Sequence, residues 1–191
     1  MKHLINEAKL KEFKRKFEDS KEKVHVLSDF DRTLTYGTTD KGEKRPSLIS
    51  ILRNGDYLDE DYAKRAHKLF DEYHPIEEDP DVSKKEKKKA MQEWWSRHNE
   101  LLIEKGLSRK DLKDITEEGG VRFRKGVPRF LEFLYQKDIP LIIMSAGGVG
   151  EAIPMFFERN DVKYPNIHFI VNRFKWNDKG IAEGHEEPII H

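Results

Sequence analysis

The stretch that decides the fold is VHVLSDFDRTLTYG, residues 24–37. It opens with a short apolar run rich in β-branched residues, which predicts a strand, and Asp29 and Asp31 follow that run directly. Because charge is expensive to bury, the two carboxylates indicate that the strand ends at a polar cleft rather than inside a core. Ligands of open α/β sheets bind outside the carboxyl ends of the strands. The stretch therefore predicts a ligand site at residues 29 to 31.

The overall composition is that of one globular unit, with 36% hydrophobic and 38% charged residues among 191. Lys plus Arg and Asp plus Glu both number 36, so no net charge favours nucleic acid or an anionic membrane as a partner. The absence of cysteine excludes disulfides, thiol catalysis and cysteine-bound zinc. The opening residues lack the apolar core of a signal peptide, and no apolar run reaches membrane-spanning length. We expect a soluble cytoplasmic protein.

Helical patterns dominate the sequence up to about residue 118. Apolar spacing predicts an amphipathic surface helix over residues 4–19 and a second helix over residues 59–74. A third helix begins at Ser83, which forms a capping box with Glu86, and a fourth begins at Ser108. The polar helices that follow the first strand form a helical insert.

Strand patterns return in the last third of the chain. A helix is predicted over residues 128–137, and the apolar run at 139–145 indicates a parallel strand that is buried on both faces. A further helix over 149–159, a strand within 166–174 and a hairpin turn at 177–180 complete the pattern. The order of strand, insert, helix, strand, helix and strand predicts a three-layer α/β fold with right-handed crossovers.

Ser145 ends the second predicted strand and precedes a helix. Its hydroxyl and the backbone N–H groups of Ala146 and the glycines that follow can hold a phosphate near the N-terminus of that helix. A carboxylate pair such as Asp29 and Asp31 can bind Mg²⁺ through oxygen and still leave one oxygen free as a nucleophile. Together these residues predict a phosphoryl-transfer site at one edge of the sheet.

Simpler interpretations of the same residues remain open. The two aspartates can cap a turn, and SAGGVGEA can form a dinucleotide-binding loop, although it does not satisfy G-x-G-x-x-G. Trp94 and Trp95 are adjacent, so one is expected in the core while the other is free to stack on a base. Glu77 lies among other acidic residues and can be a solvated surface acid.

The motifs resemble those of a known family. DFDRTLT matches the Asp-x-Asp-x-Thr motif of haloacid dehalogenase-like phosphatases, and IIMSAGG resembles their second, serine-containing motif. YHPIEEDP, EWW, YPNIHFIVNRF and GIAEGHEEPIIH then occur in the order found in the pyrimidine 5′-nucleotidase family, also called cytosolic 5′-nucleotidase type III. The resemblance implies a Rossmann-like haloacid dehalogenase core formed by residues 1–40 and 119–191. It also implies that a helical cap, residues 41–118, is inserted between the first and second motifs.

By this resemblance the protein hydrolyses pyrimidine nucleoside 5′-monophosphates, small-molecule substrates, through an aspartyl-phosphate intermediate with Mg²⁺ as cofactor. Asp29 is the implied nucleophile and Asp31 the implied general acid and base. The Asp29 side chain and the Asp31 backbone carbonyl are the implied metal ligands, and Thr33 is implied to support their loop. These assignments agree with the chemistry inferred from the residues themselves.

The resemblance also implies which residues bind the substrate. Ser145 and Ala146 match the positions that hold the phosphate, and Glu77 matches the cap glutamate that contacts the base. His98 stands where the family often has a smaller polar residue that contacts the substrate. That departure leaves the base preference open.

One further expectation concerns the segment that the family has after the equivalent of His191. The family continues there with a lysine that neutralises the phosphate and an aspartate motif that completes the Mg²⁺ site. The sequence therefore predicts impaired activity, a sheet without its C-terminal part, and self-association through an exposed edge at residues 24–27. The alternatives are a phosphatase for another small phosphomonoester and a non-catalytic nucleotide-binding or pairing module.

Overall fold

Three parallel strands form the central sheet and lie side by side in their order along the chain. The structure is a computed structural model and describes residues 11–12, 15, 24–118 and 120–191. The strands are β1 (Val26–Ser28), β2 (Leu141–Ser145) and β3 (Ile167–Val171). β1 pairs in parallel with β2, with Val26 opposite Leu141, and β2 pairs in parallel with β3, with Leu141 opposite Ile167. The predicted parallel α/β sheet is confirmed, whereas most of the helix predicted over residues 4–19 lies outside the described residues.

The described part of the chain forms six helices of four residues or more in addition to the strands. They are α1 (Leu48–Asn54), α2 (Glu60–Glu78), α3 (Lys84–Glu104), α4 (Arg109–Glu118), α5 (Val127–Gln136) and α6 (Ala152–Arg159). The first five lie between β1 and β2 in the sequence, and α6 connects β2 to β3. None of the described helices combines the length and the apolarity that a membrane span requires.

Local sequence signals explain most helix boundaries. The capping box of α3 is present, since the Ser83 hydroxyl accepts the Glu86 N–H and the Glu86 carboxylate accepts the Ser83 N–H. Helix α6 begins at Ala152, three residues later than predicted, because residues 149–151 form a turn in which the Ala152 N–H donates to the Val149 carbonyl. Helix α1 was not predicted, since only seven residues carry its pattern.

One face of the sheet is buried and the opposite face is exposed. Leu141 and Ile143 are fully buried on the first face, which packs against the hydrophobic core. On the other face Leu27, Met144 and Ile170 remain 59%, 41% and 42% exposed. Strand β1 also pairs only with β2 among the described residues, so its outer edge is unpaired there. The prediction that the second strand is buried on both faces is therefore wrong for the described residues, since Met144 lies in that strand, although parallel sheets usually bury both faces.

A cluster of aromatic rings anchors the end of β1 in the core. Phe30 is fully buried, with its ring centroid 5.5 Å from that of Phe156 and 6.1 Å from that of Phe157, both in α6. Phe123 packs edge-on against the same two rings, at 4.8 and 5.1 Å. The residues on either side of Phe30 are therefore fixed relative to α6.

A hairpin connects the helical region to the end of the sheet. It consists of β4 (Phe174–Trp176) and β5 (Ala182–His185), and its turn lies where the sequence predicts it. The Arg109 N–H donates to the Gly180 carbonyl, and the Ala182 N–H donates to the Leu107 carbonyl, both at 2.9 Å. These bonds join the start of α4 to the hairpin.

Candidate active site

The carboxylates of Asp29 and Asp31 lie in a turn directly after β1. Asp29 is exposed and Asp31 is partly buried. Between them, the carbonyl of Phe30 accepts hydrogen bonds from the N–H groups of Leu34 and Thr35, at 3.1 and 3.3 Å. Because Phe30 is anchored in the core, both carboxylates are held at the carboxyl end of β1.

Polar side chains stabilise the unusual backbone of this turn. Arg32 has a φ of 60°, in the left-handed region that non-glycine residues rarely adopt. Its N–H donates to the Thr35 hydroxyl at 2.9 Å, and the Arg124 guanidinium donates to the Arg32 and Thr35 carbonyls. The Thr33 hydroxyl donates to Asp29 Oδ2 at 3.1 Å, which restrains that carboxylate.

The Asp31 carboxyl holds its proton more tightly than an ordinary aspartate. Burial and, to a smaller extent, the nearby negative charge of Asp29 raise its pKa, Arg32 partly opposes them, and the net effect is a rise from 3.8 to about 6. A carboxyl with such a pKa can still carry a proton close to neutral pH. It is therefore suited to give a proton to a leaving group.

The turn after β1 meets the loop after β2. Ser145 is buried at the end of β2, and its hydroxyl accepts the Gly147 N–H at 3.2 Å. A Cβ placed on Gly147 would lie 3.4 Å from Ser145 Oγ and 4.0 Å from Asp31 Oδ2. The structure thus brings Asp31, Ser145 and the backbone after Ser145 together, as the sequence predicts for neighbouring strand ends. Ala146, between Ser145 and Gly147, is half-buried.

The ring of Trp95 packs against this loop from α3. The ring packs directly against Gly148, since a Cβ on that residue would lie only 2.5 Å from Trp95 Cζ3. Any side chain larger than that of glycine would therefore collide with the ring. Trp95 is half-buried and stacks on Trp94, which is in the core. The prediction that one of the two tryptophans is in the core is confirmed. Their adjacency alone could not show that the other contacts the loop.

His98 lies behind Trp95 and is only 1% exposed. Its ring stacks on that of Trp95 with centroids 5.7 Å apart, and its Nε2 is 3.2 Å from the Tyr62 hydroxyl. Burial and, to a smaller extent, the positive charge of Arg53 together lower its pKa from 6.5 to about 3, so the imidazole is neutral at physiological pH. The structure places His98 against Trp95 rather than at an open surface.

Glu77 lies on the exposed side of α2, near the end of that helix. Its carboxylate is 3.2 Å from His74 Nδ1, and its backbone carbonyl accepts a hydrogen bond from Lys87 Nζ at 2.8 Å. Within residues 24–118 and 120–191, no hydrogen bond or ion pair links the Glu77 side chain to the turn after β1 or to the loop after β2. Its match to a base-contacting position therefore remains a prediction.

Sequence reasoning missed Asn172, which lies behind the loop. Its side-chain amide donates to the carbonyls of Ala146 and Gly147, both at 3.3 Å. Asn172 directly follows β3, just as Asp29 follows β1 and Ser145 ends β2. The same argument about strand ends could have identified it.

The oxygen atoms of Asp29 and Asp31 fit a magnesium ion, which prefers oxygen ligands and retains several waters. The Asp29 carboxylate is exposed, and the Asp31 backbone carbonyl accepts no hydrogen bond from the described residues. The described side chains contain no group of three or more His, Asp or Glu residues that could hold a metal. An ion at this turn would therefore have few protein ligands and would depend on water and substrate oxygens.

Sequence comparison relates this chain to nucleotidases. The model of the family described as pyrimidine 5′-nucleotidase (UMPH-1) matches residues 32–191. A 7-methylguanosine phosphate-specific 5′-nucleotidase from Gallus gallus is 34% identical over 170 residues, which cover 88% of this chain and 58% of that protein. The Homo sapiens protein of the same name is 33% identical over 170 residues, with 89% and 56% covered. The chain thus spans little more than half the length of these relatives.

Comparison of structures gives the same relationship. The crystal structure of cytosolic 5′-nucleotidase IIIB bound to cytidine superposes with a TM-score of 0.74 and 28% sequence identity, and the alignment covers 87% of this chain and 54% of that one. This match confirms the predicted haloacid dehalogenase-like α/β fold. Because the family match extends over most of the residues, the chain belongs to the pyrimidine 5′-nucleotidase (UMPH-1) family.

Proposed function

We propose that this protein hydrolyses nucleoside 5′-monophosphates in a Mg²⁺-dependent reaction. The observation that carries the proposal is the close approach of the Asp31 carboxylate to the loop that follows Ser145, since Asp31 Oδ2 lies 4.0 Å from the position that a Cβ on Gly147 would take. A nucleophilic carboxylate, a proton donor and a phosphate-binding loop are the parts that phosphoryl transfer through a covalent intermediate requires. The family description and the names of the relatives supply the nucleotide as the substrate class.

In the proposed reaction an Asp29 oxygen attacks the phosphorus, and the bond from phosphorus to the 5′ oxygen breaks. The Asp31 carboxyl gives its proton to that departing oxygen, which leaves as the nucleoside hydroxyl. Water then attacks the phosphorus of the aspartyl phosphate and gives its proton to Asp31, which releases inorganic phosphate and restores Asp29. Mg²⁺ held by the Asp29 carboxylate and the Asp31 carbonyl would neutralise negative charge on the phosphate.

The phosphate is proposed to lie between the turn and the loop. The Ser145 hydroxyl and the Ala146 N–H donate to its oxygens, near the start of α6. Ser145 is well suited to this role because its hydroxyl is already fixed by the Gly147 N–H. No side-chain rearrangement is required before such a hydroxyl can bind an anion.

The base is proposed to bind at the helical cap, residues 41–118, while residues 1–40 and 119–191 form the catalytic core. Trp95 presents an aromatic ring beside the loop, and nucleobases stack readily on such rings. His98 contributes to binding through the ring of Trp95, on which it stacks. Glu77 is proposed to contact the base and to determine selectivity.

We also propose that the protein self-associates through the edge of β1, which is unpaired among the described residues and borders the exposed face that carries Leu27. A cytoplasmic location is proposed because one relative, from Caenorhabditis elegans, is named putative cytosolic 5′-nucleotidase 3 and is 30% identical over 171 residues, which cover 88% of this chain and 45% of that protein.

Substrate profiling of the full chain tests the proposed function. Phosphate release is measured with cytidine, uridine and 7-methylguanosine monophosphates, and with ribose 5-phosphate as the substrate without a base. We expect the nucleotides to react at least about fivefold faster than the sugar phosphate, because base stacking contributes roughly 1–3 kcal/mol. Chelation of Mg²⁺ should stop all turnover. Faster hydrolysis of the sugar phosphate would instead indicate a phosphatase for another class of phosphomonoester.

Replacing Glu77 by Gln should reduce this selectivity without harming the chemistry. The ratio of kcat/KM for a nucleotide to kcat/KM for ribose 5-phosphate is expected to fall about fivefold to tenfold, because one hydrogen bond to the base is weakened. Ribose 5-phosphate hydrolysis should stay within about twofold of wild type, because no hydrogen bond or ion pair joins the Glu77 side chain to the turn or the loop in the described residues.

Glu78→Gln provides the matched control, since it changes an adjacent exposed acid on the same helix. This variant should leave both rates unchanged. Equal losses on both substrates in Glu77→Gln would show that Glu77 is structural.

A further inference from the structure

Asn172 links three segments of the chain behind the loop that follows β2. Its side chain is only 5% exposed. Its Nδ2 donates to the Ala146 and Gly147 carbonyls at 3.3 Å and to the Ile190 carbonyl at 3.0 Å. Its Oδ1 accepts the Ile190 N–H at 2.7 Å. One buried side chain therefore connects the end of β3, the loop after β2 and the chain at residue 190.

The bonds to this loop orient whole peptide groups. A trans peptide is planar, and its C=O and N–H point in opposite directions. When the Ala146 carbonyl faces Asn172, the N–H of Gly147 must point away from Asn172, and the Gly147 carbonyl orients the N–H of Gly148 in the same way. In agreement, the Gly147 N–H donates to Ser145 Oγ. The two N–H groups are thus directed to the side of the loop on which the Ser145 hydroxyl lies.

Close packing keeps the loop beside Asn172. A Cβ on Gly150 would lie 2.7 Å from Val171 Cβ and 2.9 Å from both the backbone N and O of Asn172. No side chain fits into this gap, so the loop runs directly against the end of β3. On another part of the loop, the ring of Trp95 contacts Gly148. Contacts from both β3 and α3 therefore restrain the loop.

We propose that Asn172 is a positioning residue that holds the backbone of Ala146 and Gly147 in the orientation needed to bind the substrate phosphate. This inference rests on the proposed function, because it takes the ligand of the loop to be a phosphate. Asn172 bonds to the carbonyl side of the loop, so it acts through the backbone and does not touch the phosphate. Without its amide, the two carbonyls lose a donor, so the Gly147 N–H can turn away from the Ser145 hydroxyl that it fixes and the Gly148 N–H can turn away from the phosphate site.

The test compares Asn172→Leu with Asn166→Leu in the full chain. Leu is close to Asn in shape but makes no hydrogen bond. Asn166 is the matched control, because it precedes β3 at the opposite end of that strand and donates to the Ile139 carbonyl at 2.7 Å. The readouts are amide hydrogen exchange at Gly147 and Gly148, and the affinity for inorganic phosphate with Mg²⁺, both followed by NMR.

Asn172→Leu should speed exchange at both glycines and weaken phosphate binding, each by at least about tenfold, whereas Asn166→Leu should change either value by less than about twofold. Asn172→Asp is the second variant. It keeps an acceptor for the Ile190 N–H but places an oxygen opposite the loop carbonyls, so we expect an equal or larger loss.

The inference is overturned if both Asn172 variants fold and match Asn166→Leu in exchange and in phosphate affinity. Unchanged amide exchange at Gly147 and Gly148 is sufficient to reject the inference, whatever the change in the affinity for phosphate. If wild-type protein binds no phosphate, the proposed function fails. The exchange rates then still decide whether Asn172 holds the loop, because they need no ligand.

Discussion

Replacing Asp29 by Asn is expected to abolish nucleotide hydrolysis, with a loss of at least about a thousandfold in kcat. An amide oxygen is a poor nucleophile, and the acyl phosphate that a carboxylate forms has no stable counterpart on an amide. The same change removes the negative charge that is proposed to bind Mg²⁺. Because Asp29 is exposed, the substitution should not disturb the core.

Steady-state phosphate release measures this loss. Asp40→Asn serves as the control, since Asp40 is an exposed aspartate in the segment that follows the turn and has no proposed role. Wild-type protein should also incorporate labelled phosphate from the substrate when the reaction is quenched with acid, and Asp29→Asn should not. Retention of a tenth or more of the wild-type rate would remove Asp29 as the nucleophile.

The sequence was most informative where polar residues end an apolar strand. Asp29, Asp31 and Ser145 could be placed at one edge of the sheet because parallel strands bring their carboxyl ends together. The structure then brings Asp31 near the loop after Ser145, which a pattern along the chain could only imply. Burial of Phe30 between the two aspartates explains why an apolar residue occupies the middle of that motif.

The sequence was less informative where contacts join distant segments. The contact of Trp95 with Gly148 depends on how α3 meets a loop that lies more than fifty residues later in the chain. His98 lies on the buried stripe of α3 with Trp94 and Leu101, as helical spacing predicts, but the spacing does not show that its ring packs against Trp95 and Tyr62 and stays neutral. Neither result follows from helical periodicity, because periodicity identifies an apolar stripe but not the surface that covers it.

Replacing Asp31 by Asn is expected to slow hydrolysis of cytidine monophosphate by about a hundredfold to ten-thousandfold, which is the usual contribution of a general acid. The backbone carbonyl proposed as a metal ligand is unchanged, so the loss should come from proton transfer. The effect should be much smaller with p-nitrophenyl phosphate. Its leaving group is far more acidic than a ribose hydroxyl and departs without a proton.

A stability measurement separates this loss from unfolding. Folding raises the Asp31 pKa from 3.8 to about 6, so the folded state binds the proton more tightly than the unfolded chain. Asp31 therefore costs folding free energy increasingly as the pH rises from about 4 to about 6, and the full cost persists above that range. Asp31→Asn removes this cost and should be at least as stable as wild type at pH 7.5 in thermal unfolding without metal.

The activity that Asp31→Asn loses on cytidine monophosphate, compared with its loss on p-nitrophenyl phosphate, then decides the role of Asp31. If a folded Asp31→Asn protein loses activity on cytidine monophosphate far more than on p-nitrophenyl phosphate, the side chain acts by protonating the departing oxygen. Equal losses on the two esters would mean that Asp31 acts on a step common to both, such as phosphate binding or activation of water. In that case the raised pKa would reflect only its burial beside Asp29, and the proton donor would have to be another group near the loop after Ser145.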